Sequence, residues 1–317
     1  VPERLVVVGG DAAGMSCASQ ARKRRGPREL EIVAFERGRH TSYSACGIPY
    51  WIGGLVGSAD QLIARSPETF RDRFAIDVRI RHEVTGIDLD RRVVTVRDLD
   101  GRSEHDEPFD ALMLGTGSVP MRPPIPGIDA EGVYGVQVLD DGEALRDELD
   151  SGRVRRVVVV GGGYIGLEIA EAATARGFEV SVVDRSATPV GTFDPDVGRF
   201  IADAVRGLGI DLVLGDGAAA IETDAAGRAC AVHTASGREL PADLVVLGLG
   251  VRPNTALAVA AGVPLGPSGG TAWRACTGCP AGRSWSRSAP TPTSRAGWRG
   301  STSAAGMRRS RASSEPR

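Results

Sequence analysis

Cys46 sits in the segment Thr41-Ser42-Tyr43-Ser44-Ala45-Cys46-Gly47-Ile48-Pro49-Tyr50-Trp51-Ile52-Gly53-Gly54, with no second cysteine near it. The stretch after it, Gly47 to Ile52, reads as the first turns of a helix. A thiol at a helix N-terminus tends toward the thiolate, because the positive end of the dipole favours the charged form. The thiolate is the nucleophile of disulfide exchange. The alternative is a buried, inert cysteine. Small and polar neighbours argue against burial, and from the residues alone both readings stay open.

The other cysteines and the histidines carry less. Cys17 falls within an expected helix and Cys230 in a strand-like run, and both read as packing residues. Cys276 and Cys279 form a C-x-x-C, but no partner pair accompanies them, so neither a zinc site nor a redox pair is expected. His40, His82, His105 and His233 show no ligand spacing and read as surface residues.

Two glycine turns organise the chain. Leu5 to Val8 is an apolar run suited to a buried parallel strand. Gly9-Gly10-Asp11-Ala12-Ala13-Gly14 follows, then a helix from about Met15 to Arg25 and a second strand, Leu30 to Phe35, ending at Glu36. The pattern recurs as the strand Arg156 to Val160, the turn Gly161-Gly162-Gly163-Tyr164-Ile165-Gly166, a helix from Leu167 to Arg176 and a strand from Phe178 to Val183, ending at Asp184. Such a turn aims backbone N–H groups and a helix N-terminus at a diphosphate, and the acid at the end of the next strand accepts from a ribose hydroxyl. The second turn has all three glycines, Gly161, Gly163 and Gly166. The first has Asp11 where the middle glycine belongs, and an acid there is unwelcome unless its side chain points away. Asp184 favours the free 2′-hydroxyl of NADH, whereas Arg185 beside it would meet the 2′-phosphate of NADPH; the weight lies with NADH. A lone thiol just downstream of the first unit could exchange electrons with a flavin held there.

These units set the expected architecture: an α/β protein with two Rossmann-like, three-layer nucleotide-binding domains. Residues 1–118 begin the first domain, 119–247 form the second, and 248–270 return into the first. Between the units, Val84 to Leu99 alternates around Asp90-Arg91-Arg92 and predicts an antiparallel hairpin or meander. Pro120 to Pro126 reads as a linker. From Thr271 to Arg317 there is no Val, Ile, Leu, Phe or Tyr, and Glu315 is the only acid. Such a stretch buries too little apolar surface to offset its ordering entropy, so 271–317 is expected to be disordered. Its composition resembles a GC-rich gene read out of frame.

The 317 residues suffice for two domains. A net charge of -2 argues against a nucleic-acid or membrane-surface binder. No apolar run approaches the ~20 residues of a bilayer span. The chain runs from Val1-Pro2-Glu3-Arg4 straight into a strand without a visible signal peptide, and a cytoplasmic location is the expectation.

The turn Gly9 to Gly14, the Cys46 segment, Gly115-Thr116-Gly117, Gly161 to Gly166 and Gly248 to Asn254 occur in the order seen in FAD-dependent pyridine nucleotide-disulfide oxidoreductases. The single cysteine resembles the branch holding coenzyme A-disulfide reductase, NADH oxidase and NADH peroxidase. The likeness spans about residues 3 to 270. It implies FAD at Gly9, Gly10, Ala12, Ala13, Gly14, Glu36, Arg37, Thr116, Gly117 and Gly250. It implies NADH or NADPH at Gly161, Gly163, Tyr164, Ile165, Gly166, Asp184 and Arg185, no metal, and Cys46 as the redox centre for a small-molecule disulfide of the coenzyme A class.

Ala12 stands where the peroxidases and oxidases of that branch carry a histidine. Ser16, Gln20, Lys23 and Ser42 match substrate contacts of coenzyme A-disulfide reductases, where cations of the first helix could meet phosphates; the alternative for Arg22 to Arg25 is a solvated helix end. Ala45 replaces an asparagine of those enzymes, which leaves the substrate open. The family continues into a second FAD-binding stretch and a dimerisation domain, and neither is visible after Gly270. Two alternatives follow: a flavoprotein reductase of a small redox protein, for which Cys46 is dispensable, and a non-catalytic fragment that binds a nicotinamide nucleotide.

Overall fold

The structure, a computed structural model, describes residues 1–266. Cys276, Cys279 and the compositionally biased stretch 271–317 lie outside the described residues. The described chain is mixed α/β and consists of two parallel sheets, each covered by helices on one face and by a small antiparallel sheet on the other.

The first layer system begins with β1 (Glu3–Val8), α1 (Ala12–Arg24) and β2 (Leu30–Glu36). A 3-10 turn at Ala45–Gly47 leads into α2 (Ile48–Ile52), and a second at Ala59–Leu62 precedes α3 (Pro67–Phe74). Ser66 caps α3 by accepting from the Thr69 N–H, and Pro67 opens it. Next come β3 (Asp77–Ile80), β4 (His82–Asp88), β5 (Val93–Asp98), β6 (Glu104–Pro108) and β7 (Ala111–Leu114). The parallel sheet has the order β3-β2-β1-β7, and β4-β5-β6 form the antiparallel sheet. One face of the parallel sheet packs Leu5, Val7, Ile32 and Ala34 against Met15, Ala18 and Phe70. The other packs Val6, Val8, Val33 and Phe35 against Val94 and Val96. Alternate residues of β1 and β2 therefore face different layers, and both layers are apolar. This is why these strands read as unbroken hydrophobic runs.

The second system repeats the plan. After β8 (Ser118–Pro120), β9 (Val133–Gly135) and α4 (Leu139–Asp150), the chain forms β10 (Arg156–Val160), α5 (Tyr164–Ala175), β11 (Glu179–Asp184), α6 (Pro195–Gly207) and β12 (Asp211–Leu214). Then follow β13 (Ala218–Thr223), β14 (Ala229–Thr234), β15 (Glu239–Pro241), β16 (Leu244–Leu247), β17 (Val251–Pro253) and α7 (Ala256–Ala260). The parallel sheet runs β12-β11-β10-β16-β9, with β13-β14-β15 as its antiparallel cover. The stretch read as a linker departs from expectation at its start, where β8 pairs antiparallel with β17, Val119 opposite Arg252. The outgoing and returning chains thus form a two-stranded ribbon.

Both helices after the glycine turns start earlier than the sequence suggests, at Ala12 and Tyr164 rather than Met15 and Leu167. The turns pass directly into helix, and their small residues hide the helical period. Among the described residues, no helix is long and apolar enough to cross a membrane.

Candidate functional site

The two glycine turns are built alike, bond for bond. The Gly9 N–H donates to the Phe35 carbonyl at 2.9 Å, and the Gly161 N–H to the Val183 carbonyl at 2.8 Å. Each turn closes against a third strand: the Gly115 N–H donates to Val8 and the Gly248 N–H to Val160, both at 2.7 Å. Gly9 has φ +102°, and a Cβ there would overlap the Gly115 carbonyl; a Cβ on Gly14 would overlap the Gly9 carbonyl. Only glycine fits such a close crossing of strand, turn and helix. Gly115 and Gly248 complete the crossings, and the sequence alone did not single them out for this role.

The acids are placed alike as well. Glu36 Oε2 accepts from the Gly10 N–H at 2.7 Å, and Oε1 from the Gly38 N–H at 2.7 Å. Asp184 Oδ2 accepts from the Gly162 N–H at 2.6 Å, and Oδ1 from the Ser186 N–H at 2.7 Å. Each carboxylate keeps lone pairs for a further donor. Arg37 and Arg185 are exposed beside them, as are Ala12, Ala13, Tyr164 and Ile165 at the starts of α1 and α5.

A cleft of about 660 Å³ opens at the first turn. It runs from Glu36 and Arg37 past Gly9 and Asp11 to Thr116, Gly117, Ala45, Asn254 and Leu257, with His82, Glu83 and Arg97 on one wall. Its size suits a dinucleotide-class ligand, and the glycine crossing, the open N-terminus of α1 and Glu36 suit that ligand's diphosphate and ribose. Thr116 and Asn254 close one side together: Thr116 Oγ1 donates to the Asn254 carbonyl at 2.6 Å, and the Asn254 N–H to Gly117 at 3.0 Å. Gly250 stands outside the cleft, at φ +84°, where its carbonyl accepts from the Met121 N–H at 2.9 Å.

The Cys46 segment is tied to the first turn. Thr41 is buried, and its hydroxyl donates to the Gly10 carbonyl. The Ser42 N–H donates to the same carbonyl at 3.1 Å, from a left-handed backbone of φ 51°. Val190 does likewise in the second unit, donating to Gly162 at 2.9 Å from φ 48°. Ala45 lines the cleft; Cys46, next in the chain, is not itself one of the lining residues, but it is exposed rather than sealed in aliphatic packing. The helix after Cys46 is shorter than expected, because α2 spans only Ile48–Ile52 before Gly53. Trp51 anchors it: the Arg146 guanidinium lies 5.1 Å from the indole and donates to the Trp51 carbonyl at 2.9 Å.

Ser16, Gln20 and Lys23 lie on one exposed face of α1, and Ser42 is half-buried in the tie to Gly10. None of the four lines the cleft. Arg22 is not a solvated helix end: it donates to the carbonyls of Leu30 at 2.7 Å and Ala75 at 2.9 Å. Its burial lowers its pKa. Arg25 pairs with Glu3 at 2.5 Å. Lys23 and Arg24 are the exposed cations of that end.

Cys17 and Cys230 are free and half-buried, in keeping with packing. Burial pushes the Cys17 thiol up. Two histidines correct the reading of all four as surface residues. His82 lines the cleft, its ring 6.3 Å from that of Phe35. Half-buried His40 places Nε2 3.0 Å from Glu143 Oε1 and 3.6 Å from Asp140 Oδ1, on residues a hundred positions away that no local spacing could reveal.

Asp11 does not turn away to solvent. It lines the cleft, and its Oδ1 is buried without a hydrogen-bond partner among the described residues. Burial raises its carboxyl pKa, and the backbone N–H groups of Tyr43 and Ala12 offset this only in part. Tyr43, beside it, is pushed well above the ordinary phenol range, first by burial and then by the Asp11 charge.

Comparison with known proteins places these features in one lineage. Residues 3–274 match the family model described as pyridine nucleotide-disulphide oxidoreductase. The chain is 37% identical over 270 residues to an NAD(P)H sulfur oxidoreductase (CoA-dependent) of Pyrococcus abyssi, covering 85% of this chain and 58% of that protein. It is 33% identical over 264 residues to an NADH oxidase of Methanocaldococcus jannaschii, covering 83% of this chain and 58% of the relative. Among solved structures, reduced Bacillus anthracis CoADR-RHD superposes with a TM-score of 0.80 at 31% identity, over 85% of this chain and 47% of that one. The chain thus spans little more than half the length of these curated relatives.

Proposed function

The chain belongs to the pyridine nucleotide-disulphide oxidoreductase family, and from that premise we propose that it is the nucleotide-binding part of a flavin-dependent NAD(P)H oxidoreductase that reduces a small disulfide or persulfide through Cys46. The observation that carries this reading is the exposed thiol of Cys46, one residue beyond cleft-lining Ala45, on a segment bonded to the first glycine turn. In this reading residues 1–118 and 248–270 make the flavin domain and 119–247 the nicotinamide domain. The relatives' names, a CoA-dependent sulfur oxidoreductase among them, support the substrate class.

FAD would lie along the first cleft, with its ribose at Glu36 and its diphosphate at the α1 N-terminus near Ala12 and Ala13. When bound it supplies a two-electron path between the nicotinamide and the thiol. The nicotinamide nucleotide would lie at Gly161, Gly163 and the α5 N-terminus. The Asp184 carboxylate favours NADH there, because a 2′-phosphate would meet it as a like charge.

Cys46 performs the covalent step. Its thiolate attacks one sulfur of the disulfide; a Cys46–substrate disulfide forms, the substrate S–S bond breaks, and the second half leaves as a thiolate that takes a proton from water. Two electrons then return Cys46 to the thiolate and free the first half. One cysteine suffices because the substrate provides the partner sulfur. Ser16, Gln20, Lys23 and Ser42 would guide the substrate, Lys23 by its charge.

The test compares the protein with Cys46→Ser in flavin content, NADH-dependent bleaching of the flavin and release of thiol from coenzyme A disulfide. The expected result is flavin reduction in both and thiol release only with Cys46, at least about 100-fold faster. Full turnover by the serine variant would overturn the thiol step and favour a reductase of a redox protein. A colourless protein that binds NADH would leave only nucleotide binding. NADPH oxidised faster than NADH would give the decisive role to Arg185.

A further inference from the structure

Asp11 occupies the position in the first turn at which a glycine ordinarily lets the backbone reach the diphosphate. It lines the cleft beside Gly9, its Oδ1 is buried, and no described group donates to that oxygen. It precedes α1, whose first residues Ala12 and Ala13 are exposed, so an anion held by that helix end lies next to this carboxyl. An ionised carboxylate beside a dianion is repulsive, whereas a carboxylic acid in the same place is neutral and a donor.

We propose that Asp11 is a carboxylic-acid donor to the diphosphate bound in the first cleft: it admits the dianion in its neutral form and opposes it when ionised. The proposal rests on the first cleft being a dinucleotide site. It turns the middle residue of the turn, which reads as a defect in the sequence, into a pH-dependent determinant of cofactor affinity. Titratable neighbours in the same cleft are Glu36, Arg37, Tyr43, His82, Glu83 and Arg97. Asp140 acts on Tyr43 from α4. Asp11→Asn removes one titration and keeps the size of the side chain; it also takes away the Asp11 charge that raises Tyr43, which burial still holds above the ordinary phenol value.

The experiment measures FAD binding by the full chain and its Asp11→Asn and Asp11→Ala variants from pH 5 to 9, by flavin fluorescence. It also measures proton uptake, by calorimetry in two buffers of different ionisation enthalpy. Where Asp11 is ionised in the free protein, the original chain should take up about one proton per FAD, and its Kd should rise toward tenfold per pH unit. Asp11→Asn should take up none, hold a Kd that varies little with pH, and bind at least tenfold tighter than the original at pH 8. Asp11→Ala, lacking the donor, should also be flat but weaker than Asp11→Asn. Identical pH profiles and equal proton uptake in the original chain and Asp11→Asn would overturn the proposal while leaving the flavin site standing. Flavin bound by none of the three, in chains whose circular dichroism shows them folded, would overturn the flavin site and the proposal together. Should Asp11→Asn fail to fold, Asp11→Ala carries the same comparison, since it too lacks the titrating proton.

Discussion

The hydroxyl of Thr41 donates to the carbonyl of Gly10, so the loop that carries Cys46 hangs on the second residue of the first glycine turn. The Ser42 N–H shares that acceptor, and the Glu36 carboxylate holds the N–H of the same glycine. Gly10 is therefore fixed from both sides, and movement of the turn moves the thiol segment with it.

Replacing Thr41 by Val keeps the shape and removes the donor. Gly10 retains the Ser42 bond, so the cost is that of one buried hydrogen bond, about 1 kcal/mol, read as a lower midpoint in urea unfolding. A midpoint equal to that of the unaltered chain would show that the Thr41 tie contributes nothing.

The glycine crossings separate close approach from ordinary helix cost. A Cβ on Gly14 would overlap the Gly9 carbonyl, whereas one on Gly207, in the last turn of α6, meets nothing within 4 Å. Gly14→Ala is expected to lose about 3 kcal/mol. Gly207→Ala is expected to gain about 0.5 kcal/mol from helix propensity. Equal effects in thermal unfolding would contradict the crossing described here.

Glu148 gives a pH signature. It is 7% exposed, with Oε1 2.5 Å from Arg228 Nη2 and Oε2 2.9 Å from Arg153 Nη2. Burial alone would raise its pKa, but the hydrogen bond from Arg153 and the charge and hydrogen bond of Arg228 together hold it below the ordinary value of 4.5. The folded pKa lies below the unfolded one, so the stabilisation is present above pH 4.5 and is lost as pH falls through the lowered value. Glu148→Gln should destabilise at pH 7 by about 2 kcal/mol, and the gap to the unaltered chain should narrow as pH falls below 4.5. A gap that persists unchanged at pH 3 in denaturant titrations would contradict this account.

Much of the scaffold was legible. The runs at β1 and β10 announced themselves because each strand is buried on both faces. The hairpin around Asp90-Arg91-Arg92 was legible from its alternation, and it appears as β4 and β5. The antiparallel β13–β15 was not, because Ala218-Ala219-Ala220 offers no contrast between faces. The partner of β8 was beyond reach, since three residues that pair with a strand more than 130 positions away carry no local mark.

The chain's own order of residues determined the two strand–glycine–helix units, the acids Glu36 and Asp184 that end them, and the placing of one cysteine after the first. These are local patterns, written in spacing and hydrophobic period. Tertiary structure alone decided that Cys46 is exposed one residue beyond cleft-lining Ala45, that Arg22 is spent on backbone carbonyls, and that Thr116 and Asn254 close one wall together. It also decided that Asp11 faces the cleft with an oxygen that has no hydrogen-bond partner among the described residues. Each of these depends on which distant segments meet and on what water is excluded there, and such meetings are fixed by packing of the whole chain rather than by any window within it.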